Sequence, residues 1–161
     1  MDAQLSELSQ QVGLALTQLN LTLATAESCT GGWVAQVVTH TPGSSSWFDR
    51  GFITYSNDAK VEMLGTDPET IARYGAVSQE TVAEMAAGAL VNSNAMISLA
   101  VSGVAGPAGG SPDKPVGTVC FSWCKLGDEP QTERHQFAGD RDSVRRQAVV
   151  WALEGLLARL K

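Results

Sequence analysis

At 161 residues, with 43% hydrophobic and 17% charged side chains, the chain has the size and composition of one ordinary folded domain, 1–161, which excludes wholesale disorder and leaves no room for a second substantial domain. Its 17 acidic and 11 basic residues give a net charge of -6, which argues against a nucleic-acid partner but leaves a local anion pocket open. No run reaches the roughly 18 apolar residues that cross a bilayer, and MDAQLSELSQQVG lacks the leader of a secretory signal.

The reading is a soluble cytoplasmic protein with no membrane partner. Cys29, Cys120 and Cys124 form an odd set without a CxxC pair, and neither His40 nor His135 opens a metal motif. No metal site and no disulfide scaffold follow from such a set.

Leu5, Leu8, Val12, Leu16 and Leu19 recur at helical spacing and predict an N-terminal amphipathic helix. Leu21 to Ala26 reads as a buried strand, followed by a polar turn, Glu27-Ser28-Cys29-Thr30-Gly31-Gly32, and a helix through Trp33, Val34, Val37 and Val38. A short strand centres on Phe52-Ile53-Thr54, after which Ser56 or Asn57 caps a short helix carrying Lys60 and Met63. Thr66-Asp67-Pro68-Glu69 reads as a capping box for a helix to Arg73 that Gly75 ends. Ser78 precedes a helix with a narrow face of Val82, Met85, Ala86 and Ala89, whose small residues permit close packing.

Met96 to Val101 predicts a strand that the glycine-rich run Ser102 to Gly110 interrupts. Val116 to Cys124 and a segment through Arg134 and Phe137 read as an antiparallel pair, and Asp140 caps a last helix with Val144, Ala148, Trp151 and Gly155 on one face. Helices alternating with strands in this order imply a three-layer α/β/α sandwich on a central mixed sheet, whose strand order periodicity leaves open.

Ser28 follows a hydrophobic strand and precedes two glycines, where a hydroxyl can stand beside the free amides of a helix start; a plain helix cap explains the same letters. Cys29 is intrinsically the better nucleophile, yet a lone cysteine is commonly packing. No histidine motif offers Ser28 a base, so Lys60 becomes the candidate, with Tyr55 able to reach the same strand end if a helix begins near Asn57. The bland alternative for Lys60 is a solvated surface lysine. The loop Ser102-Gly103-Val104-Ala105-Gly106-Pro107 permits close backbone approach to an anion but matches neither nucleotide fingerprint. Arg141, Arg145 and Arg146 stand near a helix start, where cations gain nothing from the dipole; phosphate contact or ordinary ion pairs with Asp142 or Asp49 both account for Arg145.

Taken together, Ala26-Glu27-Ser28-Cys29-Thr30-Gly31-Gly32, Tyr55-Ser56-Asn57-Asp58-Ala59-Lys60, the Ser102 to Pro107 loop and Gly139-Asp140-Arg141-Asp142-Ser143-Val144-Arg145-Arg146 resemble the CinA C-terminal, or PncC, family. The likeness extends through Gly109-Gly110 and Lys114-Pro115-Val116-Gly117-Thr118. It implies an enzyme that hydrolyses the carboxamide of nicotinamide mononucleotide (NMN) to nicotinate mononucleotide and ammonia, without a cofactor. By the same resemblance Ser28 is the nucleophile, Lys60 its activating base and Tyr55 their neighbour. Thr30, Gly31, Gly32, Gly103, Ala105 and Gly106 shape the substrate pocket, and Arg145 meets the phosphate. A homodimer is compatible with the family. The alternative is an inactive nicotinamide-nucleotide-binding or regulatory protein of the same fold.

Overall fold

The computed structural model describes residues 1–161. Its elements are α1 (Ala3–Leu19), β1 (Leu23–Glu27), α2 (Trp33–Val38), a 3-10 turn (Ser44–Ser46), β2 (Phe48–Ile53), α3 (Asn57–Leu64), α4 (Pro68–Tyr74), α5 (Gln79–Val91), β3 (Ile97–Gly103), β4 (Thr118–Lys125), β5 (Gln131–Gln136) and α6 (Arg141–Arg159). No helix is long and apolar enough to cross a membrane.

Five of the six helices start on a side-chain cap: Asp2, Ser56, Asp67, Ser78 and Asp140 accept the backbone N–H of Leu5, Ala59, Glu69, Thr81 and Ser143. The choice between Ser56 and Asn57 falls to Ser56. The expected box around Thr66 does not form, because Pro68 occupies the first helical turn and makes Asp67 the cap. The helix α2 is the exception, since its N-cap is Gly32 and no cap side chain serves it.

The sheet runs β2-β1-β3-β4-β5, with β1 parallel to both β2 and β3, and β3, β4 and β5 antiparallel in turn. The crossover from β1 to β2 travels one way along the sheet, and that from β2 to β3 returns past β1 to its other side. Right-handed crossovers of opposite travel put their helices on opposite faces. Accordingly α1, α2 and α6 cover one face, while α5, with α3 against it, covers the other.

Side-chain size divides the faces. Leu23, Ile97, Leu99, Val101, Val119, Phe121 and Trp123 point at α1, α2 and α6. Ala24, Ala26, Ala100, Cys120 and Cys124 point at α5, whose own small residues let it lie close. Cys120 and Cys124 thus share a face, as their spacing requires.

Three strand boundaries shift for physical reasons. β1 begins at Leu23 and takes in Glu27, because the hydrogen-bonded register runs through Glu27 opposite Ile53 and Val101. β2 starts at Phe48 and leaves Thr54 outside. β3 continues through Ser102 and Gly103, which pair with Cys120 and Val119 despite the glycine. Leu19 is 47% exposed at the end of α1, where the chain has already turned off the core.

The helix carrying Lys60 is seated by a glycine. A Cβ on Gly88 of α5 would collide with the carbonyl of Leu64, the last residue of α3, and meet its Cβ at 3.0 Å. Gly88→Ala is therefore expected to destabilise the fold by about 1–3 kcal/mol through overpacking, seen as a lowered urea midpoint in circular dichroism.

Candidate active site

β1, β2 and β3 are parallel, so their C-terminal ends open on one edge of the sheet, where the chain reverses direction about β1 and ligand crevices form. Beyond β1 the alternation of a strand continues for two residues. Glu27 turns to the face of α2, and Ser28 to the face of α3. Cys29 returns to the α2 side and joins the apolar core there.

Glu27 is 1% exposed, and its carboxylate accepts Thr30 Oγ1 at 2.6 Å and the N–H groups of Val34 and Ala35 at 2.8 and 3.1 Å. These are orphan donors of α2, which has no cap of its own. A single buried carboxylate therefore ties the strand end, the turn and the helix start together. Gly31 and Gly32 complete the turn at φ +60° and +102°, and a Cβ on Gly32 would also approach Ile53 Cδ1 to 2.9 Å. Sequence reading assigned Glu27 only to a polar turn. The signal available was an acid closing a buried strand just before a helix whose cap position is glycine.

Opposite Ser28, Lys60 descends from the first turns of α3 and is 1% exposed, which overturns the solvated-surface alternative. Its Nζ lies 3.1 Å from Ser28 Oγ, 2.8 Å from the Thr54 carbonyl and 3.5 Å from the Tyr55 carbonyl. No carboxylate pairs with it. Burial pushes the Lys60 amine below its ordinary value. All three contacts are with neutral groups, two backbone carbonyls and the serine hydroxyl, so none of them compensates a charge on the amine. Burial, reinforced by Glu27, raises the Cys29 thiol to about 12, so it stays protonated and poorly nucleophilic near neutral pH.

A cavity of about 310 Å³ opens over this pair, bounded by Ser28, Cys29, Tyr55 and Lys60, by Gly103 at the end of β3, by Ala105 and Gly106 of the loop that follows, and by Arg141. Ala105 and Cys29 are nearly buried, and the backbone N–H groups of Cys29, Ala105 and Gly106 donate to no acceptor in the protein. Free amides around a buried hydroxyl suit a developing oxyanion. Ser102, at the end of β3, lines the same cavity and was not among the expected site residues.

Not every expected residue reaches the cavity. Tyr55 does, but it is 60% exposed, and its hydroxyl accepts from Arg141 at 3.1 Å rather than touching Ser28 or Lys60. Thr30, Gly31 and Gly32 build the turn from behind. Arg145 donates to the carbonyls of Cys29 and Thr30 at 3.0 and 3.3 Å and stacks on Trp33, outside the cavity. It makes neither of the ion pairs weighed for it, with Asp142 or Asp49.

The fold and this pair define a class: an α/β/α domain with a buried serine–lysine couple at the mouth of its parallel strands. The chain belongs to the CinA C-terminal domain family, whose profile matches residues 5–160. It is 55% identical over 155 residues to the nicotinamide-nucleotide amidohydrolase PncC of Escherichia coli (strain K12), covering 96% of this chain and 94% of that protein. To the nicotinamide-nucleotide amidohydrolase PncC of Pseudomonas putida it is 50% identical, over 95% of each. The crystal structure of competence/damage inducible protein CihA from Agrobacterium tumefaciens superimposes with a TM-score of 0.97 at 41% identity, over 100% of this chain and 98% of that one.

Burial lowers the pKa of the Lys60 amine, and the direction of that shift fixes how its cost to stability depends on pH. Its folded value lies below the unfolded value of about 10.4, so burying it is costly at every pH below the folded value, and the cost fades as pH rises toward 10.4. Lys60→Met should therefore melt higher than the wild type at pH 7. The difference should shrink as pH approaches about 10.4; a constant difference in scanning calorimetry up to that pH would mean that Lys60 is not displaced from its ordinary value.

Proposed function

We propose that this chain hydrolyses the carboxamide of NMN to nicotinate mononucleotide and ammonia, by way of a covalent Ser28 intermediate with Lys60 as the base. The observation that carries the reading is the 3.1 Å approach of Lys60 Nζ to Ser28 Oγ, with the amine buried and without a counter-charge. The substrate is read from the activity that names the relatives aligning along nearly all of this chain.

Ser28 Oγ attacks the carboxamide carbon while its proton passes to the neutral Lys60 amine. The C=O electron pair moves onto oxygen, where the free amides of Cys29, Ala105 and Gly106 receive it. Collapse of that adduct breaks the C–N bond, and Lys60 returns the proton to departing ammonia. Lys60 then takes a proton from water, which attacks the acyl ester, and returns it to Ser28 Oγ as the acid leaves. The Tyr55 hydroxyl is engaged by Arg141, so the proton traffic falls to Lys60 alone and Tyr55 walls the mouth of the cavity.

Glu27 and Arg145 act from behind the turn. Glu27 fixes α2 and Thr30, and Arg145 holds the Cys29 and Thr30 carbonyls. Three free, buried cysteines suit a reducing, cytoplasmic setting.

Purified protein incubated with NMN should release ammonia and nicotinate mononucleotide in equal amounts. Ser28→Ala should lose at least about 10³-fold in kcat, whereas Cys29→Ser should stay within about tenfold of wild type. Lys60→Arg should be as inactive as Lys60→Ala, because a guanidinium with a pKa above 12 cannot serve as a neutral base. Quenched-reaction mass spectrometry should find the nicotinate mononucleotide acyl group on Ser28. Robust product from folded Ser28→Ala would reject the covalent route, and stoichiometric NMN binding without product would favour a regulatory binding protein.

A further inference from the structure

We propose that Arg141, and not Arg145, binds the phosphate of the substrate and sets its preference for a nucleotide over the free nucleoside. The inference rests on the NMN reading above and identifies the residue that reads the end of the substrate remote from the carboxamide.

Two cations line the catalytic cavity. Lys60 lies at its buried floor, turned to Ser28 and the Thr54 carbonyl. Arg141 lies at the exposed rim. With Lys60 engaged at the acyl end, the charge that compensates a phosphate dianion has one source within the cavity.

Of the three arginines near the start of α6, the other two are already occupied. Arg146 pairs with Asp2 at 2.9 Å and bonds Gln4. Arg145 is held on the Cys29 and Thr30 carbonyls outside the cavity. Arg141 differs in kind: it donates to the Gly106 carbonyl at 2.8 Å and to the Tyr55 hydroxyl at 3.1 Å, and no carboxylate pairs with it. Both partners are neutral, so they fix the plane of the guanidinium without cancelling its charge. Two of its five N–H groups are used, and three remain for phosphate oxygens. Asp142 follows in the same turn but does not line the cavity.

A nucleotide with its carboxamide at Ser28 and its phosphate at Arg141 spans the cavity from floor to rim. The rival cation source is a neighbouring cleft of about 280 Å³ carrying Arg73, Lys114 and Arg134. Residues 74–78 lie between the two, with Ala76 and Val77 facing the first and Tyr74 and Ser78 the second. Glu80 and Asp113 line that cleft as well and offset much of its charge.

The test compares NMN with nicotinamide riboside, which lacks the phosphate, in steady-state kinetics of wild type, Arg141→Gln, Arg141→Lys and Arg134→Gln. NMN binding to Ser28→Ala is measured by calorimetry with and without Arg141→Gln. Arg141→Gln should raise KM for NMN by about 10- to 100-fold, as loss of a charge-assisted contact implies, while kcat stays within about threefold. Its kcat/KM for the riboside should match wild type, Arg141→Lys should recover part of the loss, and the calorimetric Kd should rise in parallel with KM. Arg134→Gln should change neither substrate.

Equal losses for NMN and riboside would overturn the proposal and make Arg141 a positioning residue acting through Tyr55 or the Gly106 loop. A phosphate-dependent loss in Arg134→Gln, with Arg141→Gln unaffected, would move the phosphate to the second cleft. No turnover by wild type, with NMN binding that still depends on Arg141, would remove the proposed activity and leave this assignment standing.

Discussion

Lys60 presents an amine to Ser28 from a fully buried position with no carboxylate beside it, and most of the surrounding architecture serves that one contact. An ordinary lysine near pH 7 is neutral in only about one molecule in 2,500. Each unit by which burial lowers its pKa makes the amine ten times more available and costs the folded state about 1.4 kcal/mol. The rest of the domain must supply that stability. It does so through a sheet whose central strands are covered on both faces, a large-residue core under α1, α2 and α6, and a tightly packed small-residue interface under α5.

The same packing positions the two partners from independent elements. Ser28 is held by the strand register and by Glu27, a carboxylate that gathers the orphan amides of α2 and the Thr30 hydroxyl. Lys60 is held by a helix that Ser56 caps and that Gly88 allows to rest on α5. Neither side chain reaches the other through local sequence; they lie 32 residues apart and meet because β1 and β2 are parallel neighbours. The turn between them and the loop after β3 contribute backbone donors, so both halves of the chemistry, proton transfer and oxyanion stabilisation, are built at one sheet edge.

Much of this was legible in the sequence. Helical spacing and cap residues gave the order and type of the elements, and the mixed three-layer sandwich followed from that order. The strand order was not legible, because pairing depends on how crossovers travel along the sheet and not on periodicity within a strand. Glu27 was hidden because a buried acid at a strand end looks the same as an acid in a solvated turn until the uncapped helix is in view. The roles of Arg141 and Arg145 could not be separated for a related reason. Four residues apart on α6, they sit one turn from each other, and only the tertiary fold sends one to the rim of the cavity and the other to the back of the nucleophile turn.

The measurement that bears most directly on the account is the ionisation of Lys60 itself, followed by nitrogen NMR of selectively labelled lysine in wild-type protein, with Lys60→Met to assign the signal. The account predicts a Lys60 Nζ resonance that titrates below the roughly 10.4 of a free lysine. A Lys60 signal that stays protonated up to pH 10 would contradict it.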